Sequence, residues 1–312
     1  MDAAMEEAAW TAITQCLAVE DDADVLVVTD ERTRSVGEAL VAVSRRHAGT
    51  TSMLLIEDIG QNGAEPPSST AGAMAAADVV LAPTAHSLTH TDARRKACNA
   101  GARVATLPGI TEQVFTGAMR ADYEEIARKC RLLMSKLRST ERVRVTAPNG
   151  TDMTVDVRFN DWHADTGMIH EPGAFGNLPA GEVSGPGLHA TGTLVIDSDY
   201  FCPPGTEIEI NHGSGVSISD PGCRLGEAFE EIDQARNVAE LGIGTNPEAT
   251  LVGNLLQDEK VMGTCHVAFG NDLSYGGSHD TEIHWDNVVE DPTIRFDDAL
   301  VMEDGEFVGL EI

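Results

Sequence analysis

The stretch GGSHDTEIHWDN, residues 276–287, places His279, Asp280, Glu282, His284 and Asp286 within eight positions. Imidazoles and carboxylates are the donors of divalent metal sites, where roughly three to five of them converge from different elements. In a strand, residues two apart share a face, so His284 and Asp286 can point to one centre while Trp285 points away. Glu282 joins that face if the strand begins early enough, whereas His279 and Asp280 follow Gly276-Gly277 and read as loop. An HxD pair by itself is equally the surface of an acidic protein, so its partners decide the matter.

Three upstream segments offer partners. In MGTCHVAFG (262–270), His266 stands mid-strand among apolar residues flanked by glycines. A charged imidazole is costly there unless paired or ligating, although a satisfied core histidine gives the same pattern. RNVAELGIGTN (236–246) sets Glu240 among apolar neighbours before a Gly-rich turn, and FGNLPAGEVSGPG (175–187) sets Glu182 in a Gly/Pro-rich loop. Either acid also reads as a capping residue. His47, His86, His90, His163, His170, His189 and His212 have no spacing that recruits them, with His163 and His170 the two placed to line a cleft near Glu182.

The elements that must carry these residues change character along the chain. DVLVVTD (24–30), TSMLLIED (51–58), ADVVLAP (77–83) and ARVATLP (102–108) are continuous, β-branched runs of the kind buried in parallel sheets. TRSVGEALVAVSRRHAG, SSTAGAMAAAD and HTDARRKACNAG have helical spacing between them. Strict alternation predicts an α/β domain over residues 1–140, a parallel sheet with helices on both faces. It is Rossmann-like but has neither GxGxxG nor a Walker loop after the first strand, which excludes the usual nucleotide-binding domain. A helical stretch, 119–139, closes it. Residues 141–312 then read as a mainly β, α+β metal-binding domain. A hairpin is predicted around Asn149-Gly150 in RVRVTAPNGTDMTVDVRF, and strands in TGTLVIDSD, GTEIEINHGSGVSISD, GTCHVAFG, TEIHWDNVV and ALVMEDGEFV. One helical interval is predicted over PEATLVGNLLQDEKVMG.

Composition narrows the class. The net charge of −30 comes from 51 acidic against 21 basic residues, distributed along the chain, and this excludes a nucleic-acid-binding footprint. Lys is nearly missing, with Lys96, Lys129, Lys136 and Lys260 the four present. An evenly acidic, Lys-poor chain suits a salt-filled cytoplasm, where screening relieves repulsion between carboxylates, so a halophilic, cytoplasmic protein is expected. Cys16, Cys98, Cys130, Cys202, Cys223 and Cys265 form no CxxC pair and read as reduced thiols. The first twenty residues carry several acids and are neither a signal peptide nor a membrane span.

Taken in order, ADVVLAPTAHSLTHTDARRKACNAGARVATLPGIT, GNLPAGEV, NVAELGIGTNP, DEKVMGTCHVAFGND and EIHWDNVVEDPTIRFDD resemble the thermophilic-type metalloaminopeptidase family, the aminopeptidase T and aminopeptidase S group, from about residue 75 onward. The resemblance implies metal ligation by Glu182, Glu240, His266, His284 and Asp286, two zinc or cobalt ions sharing a bridging carboxylate, a peptide substrate and a homodimer. It further implies that Glu182 or Glu240 moves the proton of the attacking water, and that Tyr275 steadies the oxyanion. The segment between His266 and His284 is compact and the chain reads as shorter than full-length members, which leaves the loops of a peptide cleft in question. The later segments are also similar to the 2,5-dihydroxypyridine 5,6-dioxygenases. That similarity implies the alternative of one Fe(II) on a facial triad of His266, His284 and Asp286, acting on a small aromatic substrate. A non-enzymatic binding module with a salt-adapted acidic cluster is the third reading.

Overall fold

A computed structural model describes residues 2–158 and 162–309. The chain divides into two compact units. Met1–Ala127, Thr166–Ala180 and Pro247–Gln257 form the first, and Arg128–Asp165, Gly181–Asn246 and Asp258–Ile312 the second. The first step of this division falls between Ala127 and Arg128, ahead of the change of pattern near residue 141, and two later segments return to the first unit.

In the first unit, the apolar runs become a five-stranded parallel sheet. Its order is Thr50–Leu55, Asp24–Thr29, Val79–Thr84, Arg103–Pro108 and Phe175–Asn177. Every residue of Val79–Thr84 is buried, as a central parallel strand covered on both faces requires. The helices Arg34–His47, Ser68–Met74 and Asp92–Asn99 fall where the helical spacing predicts them. Thr91 caps the last of these by accepting from the Arg94 amide. Leu26, Val28, Val80, Ala82 and Val104 pack against Met74, Ala93 and Ala97 from the helices. After the first strand, where nucleotide-binding folds expose free amides, the buried Asp30 carboxylate accepts from the Arg32, Thr33 and Ala85 amides. An acid fills the place of a phosphate, which is the structural counterpart of the missing Gly-rich motif.

The second unit is mainly antiparallel β. One eight-stranded sheet contains the predicted Asn149-Gly150 hairpin as Arg142–Thr146 and Asp152–Asp156, in register from Thr146 opposite Asp152. Phe159, the end of that predicted stretch, lies outside the described residues. The same sheet includes the Glu207–Asn211 and Ser214–Ile218 hairpin. The other sheet has five strands, in the order His284–Val289, Cys265–Gly270, Val238–Gly244, Glu182–Gly185 and His163–Asp165. An α/β part followed by a mainly β part is the fold class that the pattern predicts.

Two sequence expectations are corrected. The interval 247–263 is not a long helix: a four-residue helix, Leu255–Asp258, forms there, and Gly253 takes a left-handed φ of 76° that ends helical continuity. The cysteines are not all reduced either. Cys202 and Cys223 are disulfide-bonded, with Cα atoms 5.0 Å apart, while Cys16, Cys98, Cys130 and Cys265 are free. Among the described residues, no helix is long and apolar enough to cross a membrane.

Candidate metal centre

The five-stranded antiparallel sheet explains why residues from distant segments meet. Glu240 pairs with Ala268, and Ala268 with Asp286, so the three form one row across the sheet. In the next row His163, Ser184, Gly242 and His266 stand opposite one another in turn. Residues directly opposite share a face, as do residues two apart along a strand. His284, two before Asp286, and Glu182, two before Ser184, therefore join that face too. All five ligand candidates of the sequence thus emerge on one side of one sheet, and Trp285 points to the other, where it stacks on Phe201 at 4.5 Å.

Small residues at the centre leave room for the donors. A Cβ at Gly242 would lie 2.1 Å from both Cε1 and Nε2 of His266, so the imidazole lies directly over this glycine. The AELGIG segment therefore supplies both an acid and the gap into which the neighbouring strand's histidine folds. This is the close approach that a glycine inside a strand signals.

His266 Nε2 lies 3.3 Å from Glu240 Oε1, 3.5 Å from Glu182 Oε2 and 4.0 Å from Asp286 Oδ1. His284 Nε2 lies 2.9 Å from Glu240 Oε2 and 3.6 Å from Asp286 Oδ1. Glu240 thus spans the two rings, one oxygen to each. The donors fall into two overlapping sets, Glu182, Glu240 and His266, and Glu240, His284 and Asp286, which share Glu240. His284 Nδ1 is 2.7 Å from the Asn271 carbonyl. Donation to that carbonyl leaves Nε2 of a neutral ring with its lone pair toward the centre, the usual outer support of a ligating histidine. Its side chain is 33% exposed, whereas His266 is buried, so the centre opens to solvent on the His284 side.

The electrostatics are those of a site that demands positive charge. Burial alone would raise the Glu240 carboxyl, but hydrogen bonds from His266 and His284 hold it well below the usual carboxylate range. Burial alone would depress His266, yet its bond to Glu240 and the charges of Glu182, Glu240 and Asp286 push it up to about 10. His284 is raised likewise, by Asp286 and Glu240 against burial. Asp286 is lowered by His284 despite its burial. In the absence of a metal, protons on the two imidazoles balance the acids.

Tyr275 is brought in by the loop between the Cys265–Gly270 and His284–Val289 strands. Its hydroxyl is 3.3 Å from Ser184 Oγ, and its ring lies nearly parallel to His284 with centroids 6.2 Å apart. Burial, reinforced by the charges of Glu240 and Glu182, raises its pKa and keeps the phenol protonated. His279 proves to be part of that loop's frame: its Nδ1 is 2.7 Å from the buried Asp272 carboxylate, which also accepts from the His279 amide. Asp280 reaches Asn271, and Glu282 precedes the strand, which starts at His284. His163 sits opposite Ser184 with its ring 5.8 Å from Tyr275. His170 is not part of this face: it belongs to the first unit, its Nε2 2.7 Å from the Gln15 carbonyl.

One residue of the centre was not anticipated. Lys260 is 3% exposed, with Nζ 2.7 Å from Glu182 Oε1, 2.8 Å from Glu259 Oε1 and 3.8 Å from Asp165 Oδ2. Burial would lower its pKa, but Glu182, Glu259 and Asp165 hold it well above the usual range. Burial pushes Glu259 up to about 8, even with Lys260 beside it. The available signal was scarcity, since a Lys inside DEKVMGTCH is conspicuous in a chain with four.

The sequence matches the family model NicX, 2,5-dihydroxypyridine 5,6-dioxygenase, over residues 6–212, a span that includes Glu182 and stops short of the other four candidate ligands. Among solved structures, the chain is similar to 2,5-dihydroxypyridine dioxygenase from Pseudomonas putida KT2440, with a TM-score of 0.79 at 17% identity, covering 98% of this chain and 97% of that one. It is also similar to wild-type AmpT from Thermus thermophilus, with a TM-score of 0.67 at 15% identity, covering 98% and 99%. At these identities the likeness is one of fold. No curated protein sequence matches.

Proposed function

Because the chain belongs to the 2,5-dihydroxypyridine 5,6-dioxygenase family, we propose that it opens a hydroxylated nitrogen-heteroaromatic ring with dioxygen, at one ferrous ion held by His266, His284 and Asp286. The observation that carries this reading is the placement of both imidazoles on the sheet face of Asp286, each Nε2 within 4.0 Å of Asp286 Oδ1, with one ring fixed by the Asn271 carbonyl and open to solvent. The donors suit such an ion: two nitrogens and a hard oxygen, with acids around them that call for a cation. Buried Glu182 Oε2 has no hydrogen-bond partner among the described residues, as expected of an oxygen that faces a cation site. When bound, ferrous iron supplies the one-electron chemistry that lets a closed-shell aromatic ring react with dioxygen.

The protein's own groups do the rest. Without a metal Glu240 bonds both rings through its two oxygens and is held ionised by them; with each Nε2 turned to a cation, its carboxylate would face that cation and stay a poor proton acceptor. Tyr275, kept protonated, donates a hydrogen bond to an oxygen of a substrate lying toward the open side. His163, exposed beside Tyr275, exchanges the proton of a bound hydroxyl with solvent. The flat ring of Tyr275, parallel to His284, offers a stacking surface for an aromatic substrate.

A two-metal aminopeptidase is the second reading, favoured by one observation: the two donor sets share Glu240, the arrangement that a bridging carboxylate requires. Aminopeptidase activity, the first expectation from the sequence, has fold likeness to AmpT behind it, while the family match is to the dioxygenase. The two are separated by anaerobic reconstitution with Fe(II) in high salt, followed by oxygen-uptake assays on dihydroxypyridines and hydrolysis assays on amino-acid amides. Oxygen uptake with no amide cleavage supports the dioxygenase. Amide cleavage with zinc or cobalt, and no oxygen uptake with Fe(II), overturns it.

A further inference from the structure

Resting on the single-metal reading, we infer that Lys260 is a positioning residue that occupies the role of a second cation and restricts the centre to one metal ion. Glu182 is the pivot, since its oxygens face two ways. Oε2 is 3.5 Å from His266 Nε2, on the side of the shared donors, while Oε1 takes a 2.7 Å bond from the Lys260 ammonium. The same ammonium holds Glu259 at 2.8 Å and faces Asp165 at 3.8 Å, so three carboxylates surround one built-in positive charge. These acids form the hard-oxygen set that a second divalent ion would seek.

Lys260 is fixed in place by backbone as well as charge. Its carbonyl accepts from the Asn246 amide at 2.9 Å, and Met262 donates back to the Asn246 carbonyl at 3.0 Å, which pins this segment beside the end of the Val238–Gly244 strand. A second dication at Glu182 would face the ammonium across a single carboxylate, in surroundings with little water to screen the repulsion. Without the ammonium, Glu182 would be a buried acid whose Oε1 has lost its cation, and recruiting a metal is one way to satisfy it.

The test is anaerobic titration of chelator-treated full-length protein with Co(II), read by visible absorption and by bound metal per chain. Wild type takes one equivalent, Lys260→Met takes two, and Lys260→Arg returns to one. An independent variant covers the case in which Lys260→Met does not fold: Glu182→Gln in the otherwise native chain keeps its Co(II) affinity within about tenfold, because His266, His284 and Asp286 supply the ligands and Glu182, held by Lys260, only faces the ion. One equivalent in folded Lys260→Met, or a loss beyond about a hundredfold in Glu182→Gln, overturns the role of Lys260 while leaving the single-metal reading in place. Two equivalents in wild type overturn both.

Discussion

Replacing Gly242 with Ala tests whether the sheet face is built for ligation, because it perturbs a ligand without removing any donor. The added Cβ would sit 2.1 Å from Cε1 and Nε2 of His266. Restoring ordinary contact requires the ring to move by about 1.3 Å, more than twice the roughly 0.5 Å within which a metal ligand must be held. The ring cannot slide freely, since His266 is buried and its neighbours Glu182, Glu240 and Asp286 crowd Nε2 within 4.0 Å. Overpacking of this kind costs about 1–3 kcal/mol in stability. A shift of about 1 Å at a reacting centre costs about a hundredfold in function. Gly242→Ala is therefore expected to fold with a lower melting temperature and to lose at least about a hundredfold in metal affinity, measured by anaerobic Fe(II) or Co(II) titration alongside a melting curve. Unchanged metal affinity in the folded variant would refute the placement of His266 as a ligand over Gly242.

Tyr275→Phe removes a hydroxyl that bonds Ser184 and faces Glu240, so kcat should fall by about 10²–10³ with bound metal unchanged; equal loss of metal would assign Tyr275 a structural role instead. Chelator-treated protein should lose stability as pH rises: His266 is raised from 6.5 to about 10, so its contribution is complete below 6.5 and disappears as pH climbs through about 10. In metal-loaded protein the imidazoles have no such proton to lose, and melting curves from pH 6 to 10 with and without metal should diverge accordingly. With a net charge of −30, the melting temperature should rise as KCl increases from about 0.1 M to 1 M, over which the screening length shrinks from about 10 Å to 3 Å; a flat or falling curve would contradict salt adaptation.

The parts of this picture that were legible in the sequence are those governed by local periodicity. His284 and Asp286 could be paired from spacing because a strand alternates faces, and the parallel strands of the first unit showed as continuous apolar runs. Glu182, Glu240 and His266 were found through the segments that carry them, and the sheet register then explains why those segments converge. Lys260 stayed hidden because no spacing marks a lysine as buried; its environment comes from acids at 165, 182 and 259, which meet through strand pairing and chain return. The Cys202–Cys223 bond joins residues 21 apart with no motif between them, and was equally illegible. In the interval 247–263 the apolar spacing suggested a helix, but Pro247 and Gly253 break the backbone there, and the local signal misled.

The central claim is that this face of the sheet directs dioxygen into an aromatic ring. Its most direct measurement is isotope incorporation: Fe(II)-loaded protein, 2,5-dihydroxypyridine and ¹⁸O₂, with the ring-opened product read by mass spectrometry. Both atoms of one dioxygen molecule in the product are the predicted result. No ring-opened product, or product whose new oxygen comes from water in H₂¹⁸O, would contradict it.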